Sequence, residues 1–104
     1  MPREYKLRRA PKMHPVHPGS ILKCDVLPAL EISVTEAARE LGVSRQLLHG
    51  ILAEKLPVSA SVAVRLGKWC GNGPHLWLAL QRDYDLWRAE HSMAREIKSS
   101  QTAI

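Results

Sequence analysis

From residue 34 to residue 53 the chain reads VTEAARELGVSRQLLHGILA, and its small or apolar positions Ala37, Ala38, Leu41, Val43, Leu48 and Ile51 recur at helical spacing on either side of Gly42. The pattern predicts two short amphipathic helices joined by a tight turn. Helices that cross over a turn of about three or four residues need a small side chain where their backbones approach, and often Gly at the bend. Ala38 and Gly42 meet both needs. Ser33 with Glu36 makes a capping box for the first helix, and Ser44 is placed to cap the second. If Leu48 and Ile51 point inward, Ser44, Arg45, Gln46, His49 and Gly50 fall on the opposite face. A helix-turn-helix that reads DNA fits this face; an ordinary helical hairpin with a solvated polar side is the alternative.

The flanks extend the helical pattern. In MHPVHPGSIL each of His14 and His17 precedes a proline, which biases both toward extended backbone, and Pro18 then opens a helix over residues 18–29 carrying Ile21, Leu22, Val26 and Leu27. Beyond the central stretch Pro57 breaks the chain, Ser59 or Ser61 caps a fourth helix, and that helix ends near Gly71. Its buried stripe is Val62, Leu66 and Trp69, or else Ala63 and Cys70. Asn72-Gly73-Pro74 is a start signal for a fifth helix, HLWLALQRDYDLWRAEH. Leu76, Trp77, Leu80, Tyr84 and Trp87 give that helix an apolar face wider than a small core requires. Large aromatics are enriched at interfaces, so Trp77, Tyr84 and Trp87 are candidate dimer or partner contacts, with core packing as the competing role. Residues 1–13 form a basic flexible arm holding Arg3, Lys6, Arg8, Arg9 and Lys12; residues 14–91 form the folded domain; residues 92–104 are expected to fray or be disordered.

Composition narrows the function. With 104 residues the chain suits one small domain, and 45% hydrophobic residues can supply its core. A net charge of +5 favours a polyanionic partner, nucleic acid first. No run of about eighteen apolar residues and no apolar segment behind the basic start is present, so a cytoplasmic protein with no membrane partner is expected. Cys24 and Cys70 lack the paired spacing of a zinc or redox motif and are expected to be buried, reduced thiols. His14, His17 and Cys24 lack the further close-set ligands that zinc needs, so neither a metal nor another cofactor is expected. No catalytic constellation is recognisable: the chain lacks paired carboxylates, a nucleophile with its base, and a glycine-rich phosphate loop.

Three separated motifs, HPGSIL at 17–22, the central stretch at 34–53 and PHLWLALQRDYDL at 74–86, together resemble the HigA-type antitoxins of HigBA toxin–antitoxin pairs, a branch of the phage-repressor-like (XRE) helix-turn-helix family. The resemblance covers about residues 14–90 and implies an all-α, five-helix DNA-binding fold. It further implies a homodimer on a palindromic double-stranded operator, and neutralisation of a HigB-type ribonuclease toxin. The basic arm and Leu56-Pro57-Val58 depart from many relatives.

In such a protein the helix from Ser44 to Leu52 enters the major groove by its N-terminal end. Base reading then falls to Arg45, Gln46 and His49, with Arg suited to guanine O6 and N7 and Gln to adenine N6 and N7. Ser44, Lys55, Ser59 and Ser61 are the candidate phosphate-positioning residues. A stand-alone repressor without a toxin is the rival within DNA binding, and a pure interaction module using the fifth helix is the rival outside it.

Overall fold

A computed structural model describes the backbone of residues 14–102 and the side chains of residues 14–94. The basic arm expected over residues 1–13 lies outside the described residues. Pro18–Ile21, Leu22–Val26 and Leu27–Leu30 run on without a break as α1; α2 is Val34–Leu41, α3 Arg45–Leu52, α4 Ala60–Cys70 and α5 Pro74–Thr102.

Each start and stop has a local chemical cause. Ser33, Ser44 and Ser59 cap α2, α3 and α4 by accepting the backbone N–H of Glu36, Leu47 and Val62 at 3.1, 3.0 and 3.2 Å. Ser59, rather than Ser61, is therefore the cap of α4. At the end of α2, Gly42 takes a left-handed conformation (φ 77°), and the N–H groups of Gly42 and Val43 both reach back to the Ala38 carbonyl. A Cβ at Gly42 would also meet the Arg65 guanidinium at 2.6 Å, and that group already donates to the Leu41 carbonyl at 3.0 Å.

Within α1 the middle segment is a π turn, closed by the Leu27 N–H on the Leu22 carbonyl. Pro28 supplies the reason: it has no N–H to continue an α ladder, and its ring presses on the carbonyl of the residue four positions earlier, so the preceding turn widens. The chain ends α1 at Glu31, which sits in the left-handed region at φ 57° without being glycine.

The core is one cluster in which Leu22 of α1, Ile51 of α3, Leu66 of α4 and Trp77 of α5 are all essentially inaccessible to solvent. The α4 stripe is Val62, Ala63, Leu66, Gly67 and Cys70, whereas Trp69 is half-buried and donates its indole N–H to Glu40 Oε1 of α2 at 2.8 Å.

Two expectations need correction. Trp77 is 0% exposed and its indole N–H donates to Asn72 Oδ1 at 3.0 Å, so it is a core residue and not a dimer or partner contact. Cys24 is exposed, because the π turn directs Lys23, Cys24 and Asp25 to solvent; Cys70 is buried as expected. The last helix runs from Pro74 to Thr102, with no Gly or Pro after Pro74 to stop it. Its 29 residues make a rod about 43 Å long.

Candidate nucleic-acid interface

Leu48, Ile51 and Leu52 anchor α3 in the core, and the 3.6-residue period then turns Arg45, Gln46 and His49 to solvent on the opposite side. All three base-reading candidates thus share one exposed face. Gly50 does not belong to it: a Cβ there would run into the Leu56 side chain, so Gly50 is the floor on which the exit loop of α3 rests. Ser44 stands exposed at the N-terminal end of this face with its oxygen engaged as a cap and its hydroxyl hydrogen still available.

The phosphate-positioning candidates lie on the exit loop and its far side. Lys55 and Leu56 both donate their N–H to the Gly50 carbonyl, at 2.9 and 3.1 Å, and Glu54 takes the left-handed conformation (φ 62°) that allows this tight return. Lys55, Ser59 and Ser61 are all exposed. The structure therefore places Ser44 at one end of α3 and Lys55 just beyond the other, with Ser59 and Ser61 at the start of α4.

What holds this face in place comes from the flanking motifs, and the sequence did not reveal it. The buried His17 caps α1, its Nδ1 accepting the Gly19 N–H at 2.9 Å. Burial lowers the His17 pKa below 6.5, a shift opposed by Glu54, Asp85 and a backbone hydrogen bond to Leu56 and assisted by Arg88. At Gly19 a Cβ would fall inside the Ile51 carbonyl, so α1 lies backbone to backbone on α3, which only glycine permits. From α5, Gln81 is 5% exposed, accepts the Val58 N–H at 2.8 Å and donates to Asp85 Oδ1 at 2.9 Å, pinning the exit loop. The available signal for Gln81 was a polar residue four positions after Trp77 and three before Tyr84, inside an apolar stripe.

Tyr84 and Trp87 are half-buried by the chain's own imidazoles. His14 stacks on Trp87 with centroids 4.6 Å apart, His91 lies 4.5 Å from the same ring, and His17 meets Tyr84 edge-on at 5.0 Å. His14, His17 and Cys24 thus have different neighbours, and among the described residues no group of three or more His, Cys, Asp or Glu is arranged to hold a metal.

A sequence of cap, glycine stop and cap across two eight-residue helices, with one polar face turned outward from a small helical core, defines a helix-turn-helix domain. No family model matches the sequence. Virulence-associated protein A' of Dichelobacter nodosus is 40% identical over 82% of this chain and 74% of its own length. Antitoxin HigA-1 of Vibrio cholerae is 31% identical over 86% of this chain and 85% of its own. Among solved structures, the Pseudomonas aeruginosa antitoxin HigA with the higBA promoter superposes with a TM-score of 0.76 at 34% identity, covering 82% of this chain and 92% of that one. The chain belongs to the HigA family of helix-turn-helix antitoxins.

Proposed function

We propose that this protein is a sequence-specific DNA-binding antitoxin that represses its own operon and neutralises a HigB-type ribonuclease toxin in the cytoplasm. The observation that carries the DNA reading is the α3 face, where Arg45, Gln46 and His49 are exposed together while Gly19, Gly50 and Gln81 fix the helix from behind. A solved relative is named as an antitoxin with its promoter, which supports the same role here. Among the described residues no helix is long and apolar enough to cross a membrane.

One helix-turn-helix covers few base pairs, so a homodimer on an inverted repeat is part of the proposal. The surface that favours it is not the Tyr84–Trp87 side, which His14, His17 and His91 occupy, but the far side of α5. There Leu86 and Met93, seven positions apart on one helix face, are 52% and 55% exposed.

Purification of the chain together with its neighbouring reading frames, followed by a gel shift on the upstream DNA, tests the whole reading. A co-purifying basic ribonuclease and a salt-sensitive, sequence-dependent shift are expected. A shift without any toxin would reduce the role to a stand-alone repressor, and no shift would remove the DNA role.

A further inference from the structure

We propose that Thr35 is a positioning residue for base reading: its hydroxyl, on the first turn of α2, holds the Arg45 guanidinium in the orientation that meets the edge of a base. The proposal rests on the reading of Arg45 as a base-contacting residue.

Thr35 and Arg45 are ten residues apart and stand on different helices, and the left-handed turn at Gly42 brings them together. Arg45 Nη1 donates to Thr35 Oγ1 at 3.4 Å, with both side chains exposed. The Thr35 hydroxyl has no part in starting α2, since Ser33 accepts the Glu36 N–H and thereby supplies the cap. Nor does it serve the core, which α2 reaches through Ala37, Ala38 and Leu41. Its partner is the residue that opens α3, the position from which a recognition helix first meets the groove.

An exposed arginine samples many rotamers, and every one that cannot reach the base dilutes its discrimination. A single hydroxyl acceptor removes much of that freedom while occupying only one of five guanidinium N–H groups, so a two-bond edge stays available for guanine O6 and N7. Among the described residues Gln46 and His49, the neighbouring readers, have no such tether, which singles out Arg45 as the pre-oriented member of the face.

The test compares wild type, Thr35→Val, Thr35→Ser and Arg45→Ala, each alone, and Thr35→Val combined with Arg45→Ala. Val keeps the shape and helix propensity of Thr while losing the hydroxyl, and Ser keeps the hydroxyl. Binding is measured to the operator and to a set of single base-pair variants, and the mobility of the Arg45 side chain is followed by nitrogen-15 relaxation in the free protein. Thr35→Val is expected to increase Arg45 mobility and to lower discrimination about three- to tenfold at the one base pair where Arg45→Ala also acts. Thermal stability and the salt slope should stay as in wild type, Thr35→Ser should restore discrimination, and the effect should vanish in the Arg45→Ala background. The same loss in that background would place the hydroxyl on DNA itself and overturn the proposal, as would unchanged Arg45 mobility. If Arg45→Ala alone leaves every base pair equally discriminated, the base-reading role of Arg45 fails, a result the mobility measurement in the free protein distinguishes from a failure of the tether.

Discussion

At the scale of single residues, His17 ties the stability of the domain to pH. Its Nδ1 must stay unprotonated to accept the Gly19 N–H, and burial lowers its pKa below 6.5 while Glu54 and Asp85 pull the other way and Arg88 assists. The unfolded chain therefore binds this proton first. The stabilisation is fully present above about pH 6.5 and is lost as pH falls from there through the folded-state value. Melting curves of wild type and His17→Asn, in which an amide oxygen can keep the cap, should run together above pH 6.5 and part below it, where wild type loses stability that the non-titrating variant keeps. Glu31 offers a second residue-scale prediction. It closes α1 at φ 57°, where a side chain is strained, so Glu31→Gly should raise stability by about 0.5–1 kcal/mol in a urea titration. For Arg45 and Gln46, exposed on α3, substitution by Ala should cost roughly 1–3 kcal/mol of discrimination at particular operator base pairs with the melting temperature unchanged.

At the scale of elements, the pairing of α1 with α3 depends on the absence of one carbon atom. Gly19→Ala would drive a methyl group into the Ile51 carbonyl, and separating two packed helices should cost at least about 2 kcal/mol, visible as a large fall in the denaturation midpoint. The helices themselves were legible in the sequence because their signals are local. Ser33, Gly42 and Ser44 state the ends of α2 and α3 outright, and Ala37, Ala38, Leu48 and Ile51 state their inner faces. Contacts between elements were not legible. Nothing near Gly19 indicates that Ile51 lies against it, because that partner is supplied by tertiary packing; the His17 cap is local, its ring accepting an N–H two residues on, but imidazole is not among the side chains that usually mark a helix start. The aromatic face of α5 was read correctly as wide, but its use was misjudged at Trp77, which the Asn72 amide and the core enclose completely. Histidines that precede prolines in an extended segment gave no sign that they would cover Tyr84 and Trp87.

At the scale of the whole molecule, the exposed Leu86 and Met93 of α5 argue for association through its outer side. Leu86→Asp with Met93→Asp should yield a folded monomer in sedimentation with its helical content kept, and operator affinity should drop by about tenfold or more as the second half-site contact is lost. A wild-type monomer at micromolar concentration would sink that idea. The same helix reaches inward through Gln81 to the Val58 N–H, two residues before α4 begins and just past Lys55. Replacing Gln81 by Leu would strand that buried N–H at a cost of about 1–3 kcal/mol. A glutamine that holds the exit loop from the helix that also carries the outer apolar side makes the two surfaces thermodynamic neighbours. Any occupant of α5 that shifts Gln81 alters the affinity for DNA by some factor, and by linkage DNA alters the affinity for that occupant by the same factor. An operon product that governs its own synthesis would then sense its partner and its operator through one shared side chain.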